Sequence, residues 1–262
     1  MKIADVHCHI FPDKLAEKAT HSIGEFYCSE DMFEPASVGN LVRAHQDAGI
    51  SRCVVCNSAV SAEQVHNIND FVAASCKEHA EFIGFGSVFP TMDGAEEELD
   101  RMLELGLRGV KIHPDFQKVP IDAPEATDTY RAIAKRNLPV LFHTGDHRYD
   151  FSSLERLLNL LKKVPDLRVI AAHFGGWHVW QQAIDTPLPE NVIYDTSSST
   201  PFLTRDMTLR LLERYGVDRC LFGSDFPMWS PKEELARVQS LGLSQSEQEQ
   251  IFYGNFDKFF GI

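Results

Sequence analysis

The sequence lacks any apolar run long enough to cross a bilayer. No segment approaches 18 consecutive apolar residues, so no membrane helix is expected. It is also short of positive charge, with 25 Lys and Arg against 38 Asp and Glu and a formal net charge of −13. That balance repels nucleic acid and anionic membrane surfaces, and neither is expected as a partner. No Gly-rich phosphate fingerprint follows the first strand-like run, which argues against an open dinucleotide-binding sheet. The opening residues MKIADVHCHIF put acidic and histidine side chains where a secretory leader needs an apolar stretch. Cysteine is sparse and scattered, at 8, 28, 53, 56, 76 and 220, without disulfide-framework or zinc-ribbon spacing. Cys53 and Cys56 make a C-x-x-C, but inside a strand-like run, so they read as reduced core thiols. A cytoplasmic location is the expectation.

What is present is a large stock of core-forming residues, 44% apolar against 24% charged. Short apolar runs rich in Val, Ile, Phe and Leu recur at 2–8, 52–57, 82–89, 109–113, 139–143, 168–173, 191–196 and 220–224. Most are apolar on both faces, as strands buried in a parallel sheet are. Amphipathic stretches separate them, at 38–48, 62–78, 95–105, 124–136, 152–163, 176–184, 205–215 and 231–238. Two more, 244–252 and 256–260, close the chain. Strand and helix in strict alternation predict right-handed βαβ units. At 262 residues the chain is close to the ~250 typical of one TIM barrel. A single (β/α)8 barrel over 1–262 is therefore expected, with the irregular stretch 11–36 as a loop serving as a lid.

The chemistry-bearing residues sit at the ends of these runs. His7 and His9 are two apart on the first, so both imidazoles point the same way. His143 ends the fifth run, His173 the sixth, and Asp225 follows the eighth. In a TIM barrel these ends share one face, where catalytic residues collect. Imidazole and carboxylate are ligands for zinc and related divalent ions. On the fourth run Lys111 and His113 share parity, so both can face the interior. Arg148 follows His143 and suits a substrate carboxylate. Trp177 follows a Gly-Gly turn and suits a pocket wall. His21, His45, His66 and His79 lie away from strand ends and read as surface or helix-face residues.

Together these pieces resemble the amidohydrolase superfamily, in its amidohydrolase-related branch. The matching segments are D-V-H-C-H-I-F-P at 5–12, G-V-K-I-H-P at 109–114 and F-H-T-G at 142–145. They continue with A-H-F-G-G at 172–176, G-S-D-F-P at 223–227 and a closing G-N at 254–255. The resemblance implies a catalytic divalent metal, zinc, one per chain, held by His7, His9, His143 and Asp225. It implies that His173 or Asp225 handles the proton of a metal-activated water, and that Lys111 stays an unmodified ammonium in a one-metal site. The implied reaction is hydrolysis of a small amide, ester or lactone. The same branch also contains metal-dependent decarboxylases and metal-free lactonases; a non-catalytic metal-binding barrel is the remaining reading. A dimer is the base-rate expectation for assembly.

Overall fold

A computed structural model describes residues 1–29, 32–186 and 188–261. All eight expected strands form: β1 (Ala4–His9), β2 (Arg52–Cys56), β3 (Phe82–Ser87), β4 (Gly109–Ile112), β5 (Val140–Phe142), β6 (Val169–Ala171), β7 (Val192–Asp195) and β8 (Cys220–Leu221). They make one eight-stranded sheet in the order β1 to β8, the (β/α)8 TIM barrel. The strands are short, but nearly every residue in them is buried, which explains their unbroken apolar character.

Apart from α1 and the short α5, the helices fall where the sequence periodicity puts them. After β1 come α1 (Asp13–Tyr27) and α2 (Val38–Ala48), then α3 (Val65–Glu78), α4 (Ala95–Glu104), α5 (Pro114–Gln117) and α6 (Thr127–Lys135). The later ones are α7 (Leu154–Lys163), α8 (Trp180–Asp185), α9 (Arg205–Tyr215), α10 (Pro231–Gln239), α11 (Gln245–Glu249) and α12 (Asn255–Phe260). Their ends are chemically specified. Ser37 caps α2 by accepting from Asn40 N at 3.1 Å, and Gly49 ends it in the left-handed region. Ser230 caps α10 with Pro231 in its first turn, and Ser244 with Glu247 forms a capping box on α11.

One expectation is corrected. Residues 11–36 are not an irregular loop, because α1 occupies thirteen to twenty-seven, Asp13–Tyr27. Its buried face is Ala16, Thr20 and Gly24, four residues apart. Small side chains on that stripe allow close helix approach but give almost no apolar periodicity to read. Glu30 and Asp31, also in that stretch, lie outside the described residues.

The chain packs as two compact units. The first comprises Met1–Val55, Glu78–Ile83 and Asp195–Ile262. In it the chain after β8 runs parallel to β1: Val6 N donates to Phe222 O at 2.9 Å, Asp225 N to His7 O at 2.9 Å, and His9 N to Phe226 O at 2.8 Å. The second comprises Cys56–Lys77 and Gly84–Tyr194. In it β3 pairs with β4 (Ser87 opposite Lys111), β4 with β5 (Lys111 opposite Leu141) and β5 with β6 (Phe142 opposite Ala171), all parallel. Gly109 is required there, since a Cβ would lie 2.4 Å from the Phe85 ring.

Candidate metal centre

In the first unit, β1 delivers His7 and His9 to one side, with ring centroids 5.1 Å apart. Asp225 follows β8 in the left-handed region at φ 59, a costly conformation for a non-glycine residue. Its backbone bond to His7 O fixes it against the histidines. Asp225 Oδ1 lies 3.4 Å from His7 Nε2 and 3.3 Å from His9 Nε2. Bonds of ~2.1 Å to a common ion would set such edges at about 3.0–3.4 Å, so the three atoms fit one divalent cation.

The outer ring of contacts decides which nitrogen of His7 is available. Its Nδ1 lies 3.0 Å from Asp195 Oδ2 and 3.0 Å from Ser197 Oγ. A carboxylate only accepts, so Nδ1 carries the hydrogen toward Asp195, and a cation between Nε2 and Asp225 would meet the Nε2 lone pair. Asp195 is itself held by the Ser197 hydroxyl at 2.5 Å and the Ser197 N–H at 3.0 Å. On the other side Ser198 Oγ donates to Asp225 Oδ2 at 2.5 Å and accepts from Trp229 Nε1 at 2.9 Å. His7 and Asp225 are thus braced by D-T-S-S-S at 195–199, which sequence reading passed over. The signal was there: a polar run at the end of an apolar strand, in a fold that collects function at strand ends. Asp195→Asn is expected to weaken divalent-metal affinity ~10–100-fold, the usual effect of losing such a partner. The check is a metal titration beside a melting curve; unchanged affinity would show that Asp195 does not set the His7 tautomer.

In the second unit His143 follows β5, with its N–H on Ile112 O at 3.0 Å. Its Nδ1 meets His173 Nε2 at 2.9 Å. Its ring stacks on His113 at 4.0 Å between centroids. His113 in turn stacks on Phe116 and caps α5 by accepting from Phe116 N at 3.3 Å. Lys111 is fully buried in β4. The loops after β5 and β6 touch at Gly145, whose Cβ would lie 2.7 Å from Gly176 Cα, so no side chain fits there. Trp177 N donates to Thr144 O at 2.8 Å in the same contact. Arg148 is already engaged: it grips Asp146 through Nε at 2.9 Å and Nη2 at 2.7 Å, and sits over the Trp177 ring. The substrate-clamp role expected of Arg148 therefore has to compete with an internal ion pair.

Asp115 was not anticipated. It follows His113-Pro114, and its Oδ2 lies 3.7 Å from His143 Nε2. Neither carboxylate oxygen has a hydrogen-bond partner, and the residue is 3% exposed. Burial pushes its carboxyl up to about 6, with the Asp146 charge adding to the shift. Because the folded value lies above the unfolded one, the folded state holds the proton longer, and stability falls as pH rises from about 4 to 6. In metal-stripped protein Asp115→Asn is expected to raise unfolding stability near neutral pH by up to ~3 kcal/mol. The gain should shrink as pH falls toward 4. Urea unfolding at both ends of that range checks it, and a pH-independent difference would refute it.

The structure thus brings His7, His9 and Asp225 together in one unit, and His143, His173, His113, Asp115 and Asp146 in the other. No curated protein matches the chain. Among solved structures it is similar to 2,6-dihydroxybenzoate decarboxylase from Rhizobium, at TM-score 0.76 and 16% identity, covering 100% of this chain and 99% of that one. It is similar to dihydroxybenzoic acid decarboxylase from a Polaromonas species, which carries bound manganese and the inhibitor 2-nitroresorcinol. That match has a TM-score of 0.76 and 16% identity and covers 99% and 97% of the two chains. A third is a Pseudomonas putida protein, a candidate 2-pyrone-4,6-dicarboxylic acid hydrolase, at TM-score 0.73, 17% identity and 99% and 97% coverage. At these identities the likeness is one of fold. The family model described as amidohydrolase matches residues 4–262, and the chain belongs to that family.

Proposed function

We propose that the protein is a metal-dependent hydrolase of a small carbonyl compound, with the ion on His7, His9 and Asp225. The observation that carries this is the braced donor set: two Nε2 atoms around one carboxylate oxygen, with His7 held from behind by Asp195 and Asp225 by Ser198. His143, which ends β5, is the fourth ligand the family pattern implies. A divalent ion there supplies Lewis-acid polarisation of a carbonyl and brings the pKa of a bound water toward neutrality. The residues do the rest. Asp225 takes or holds a proton at a carboxylate oxygen, with Ser198 keeping the other oxygen in place. His173, its ring set by the hydrogen bond between His143 Nδ1 and its own Nε2, exchanges a proton at Nδ1. Lys111 stays an unmodified ammonium, and one ion occupies this site. The ion is zinc or another divalent metal suited to nitrogen and oxygen ligands.

Decarboxylation is the second reading. It is favoured by two of the similar structures being decarboxylases, one of them a manganese form. One experiment separates the two. A panel of small cyclic esters, amides and carboxylated rings is turned over in 18O-water with carbon dioxide trapped. Hydrolysis puts one 18O into the product carboxylate and releases no gas. Gas release without that label assigns decarboxylation instead. Turnover that survives removal of all divalent metal would refute both.

A further inference from the structure

A buried carboxylate that the proposed reaction does not use ties together the two segments carrying its metal-facing groups. Asp5 lies on β1 just ahead of His7 and is fully buried. Its Oδ1 accepts two backbone N–H groups, from His7 at 3.1 Å and from Ser224 at 3.0 Å. The first belongs to a metal-facing residue, and the second leads directly into Asp225. Its Oδ2 lies 3.2 Å from His45 Nε2 on α2, with Cys8 Sγ 3.6 Å from the same nitrogen. A carboxylate only accepts, so His45 carries a hydrogen on Nε2 and donates it to Asp5. His45 is 5% exposed, which overturns the surface or helix-face placement expected of it.

The imidazole comes from a fixed place. Leu41, Ala44 and His45 form the buried face of α2, and Ile50 N closes on the His45 carbonyl at 2.9 Å just past the Gly49 turn. What the clamp holds is strained. Asp225 sits at φ 59, and a non-glycine residue stays in that region only where its neighbours are held. Ser224 N is held by Asp5, Asp225 N by His7 O, and Phe226 N by Ser224 Oγ at 3.2 Å. Stability alone is a weak account of the His45–Asp5 pair, since apolar residues of similar volume often stabilise an interior as well. An apolar pair could not accept the two N–H groups that join the strand ends.

We propose that His45 and Asp5 are positioning residues for the metal centre. His45 holds the Asp5 carboxylate, and the carboxylate sets His7 against Asp225. This rests on the strand-end metal reading given above. Without the imidazole Asp5 is free to turn, and the 3.4 Å separation of His7 Nε2 from Asp225 Oδ1 is no longer fixed. Metal affinity then falls although no ligand has been changed.

Manganese titration of the folded protein tests this, with free ion read by electron paramagnetic resonance well below the melting temperature. His45→Leu should weaken manganese binding ~10–100-fold, the usual effect of losing support behind a metal ligand. His45→Gln, whose amide can still donate to Oδ2, should bind close to wild type. A merely structural role lowers the melting temperature of His45→Leu and leaves the affinity of the folded protein alone. Asp5→Asn/His45→Leu strands no buried charge, so it folds even if the single variant does not, and it should show the same loss. Wild-type affinity in folded His45→Leu or in the double variant would overturn the proposal, as would His45→Gln binding as weakly as His45→Leu. His7→Ala/His9→Ala protein that keeps its manganese would overturn the metal reading and the positioning role with it. Loss of manganese there, beside intact binding in His45→Leu, strikes the positioning role alone.

Discussion

Replacing both His7 and His9 with Ala is expected to remove one equivalent of exchangeable manganese per chain while the barrel stays folded. The expectation rests on how few donors remain. Asp225 Oδ1 faces both imidazoles and has its other oxygen engaged by Ser198, so without the histidines one carboxylate contact and the proposed ligand His143 are all that is left of the donor set. Divalent transition ions need several such donors to stay bound against water. Turnover should fall at least ~100-fold, since removing even one positioned electrostatic group costs about that much. A stability cost accompanies it: Asp195, fully buried, loses the His7 Nδ1–H, and an unmet buried acceptor costs ~1–3 kcal/mol. The variant should therefore melt lower but still cooperatively. Manganese content by elemental analysis, with near-ultraviolet circular dichroism for the fold, decides the matter. One equivalent of manganese still bound in folded double variant would sink the assignment.

The fold was legible because its strands are buried on both faces. Runs such as Val169–Ala171 and Val140–Phe142 are apolar without interruption, and the amphipathic stretches between them carry ordinary caps at Ser37, Ser230 and Ser244. α1 was not legible, because Ala16, Thr20 and Gly24 carry too little apolar surface to mark a helical face. The site was legible only where a ligand-type residue ended a strand. His7, His9, His143, His173 and Asp225 announce themselves that way. Their supports do not. Asp195 and Ser197 read as a polar strand end, and Asp115 as the first turn of a four-residue helix. His45 looked like any helix histidine, because nothing in α2 says that Asp5 and Cys8 lie against it. Contacts forty residues apart, or 188 as between His7 and Asp195, leave no local pattern in a single sequence. Sequence reading therefore recovers chemistry-bearing residues at strand ends sooner than the residues that hydrogen-bond to them.

His173→Asn is expected to lower turnover at least ~100-fold, the low end for a general acid–base group, with metal content unchanged. The geometry supplies both this reading and its rival. His173 Nε2 and His143 Nδ1 are 2.9 Å apart, so one nitrogen donates and the other accepts. If His143 uses Nε2 as a metal ligand, its Nδ1 carries the hydrogen and points it at His173 Nε2. His173 then orients a ligand, and its own Nδ1–H is what it can offer elsewhere. Proton transfer to substrate requires the pair to let go in the working complex, or the proton to pass along it. Position favours a functional role: His173 and Phe174 both sit in the left-handed region, at φ 62 and φ 51, and Trp180 Nε1 pins the His173 carbonyl at 3.0 Å. Strain of ~1–3 kcal/mol per residue persists only where surrounding contacts hold it, and it gathers at working sites. Asn keeps one hydrogen-bonding group near Nδ1 but cannot carry a proton near neutral pH. A variant with full metal and lost turnover assigns the proton to His173, and loss of the corresponding limb from the pH–rate profile corroborates it. A variant that loses metal in step with activity makes His173 the orienting partner of His143, and full activity removes it from the mechanism.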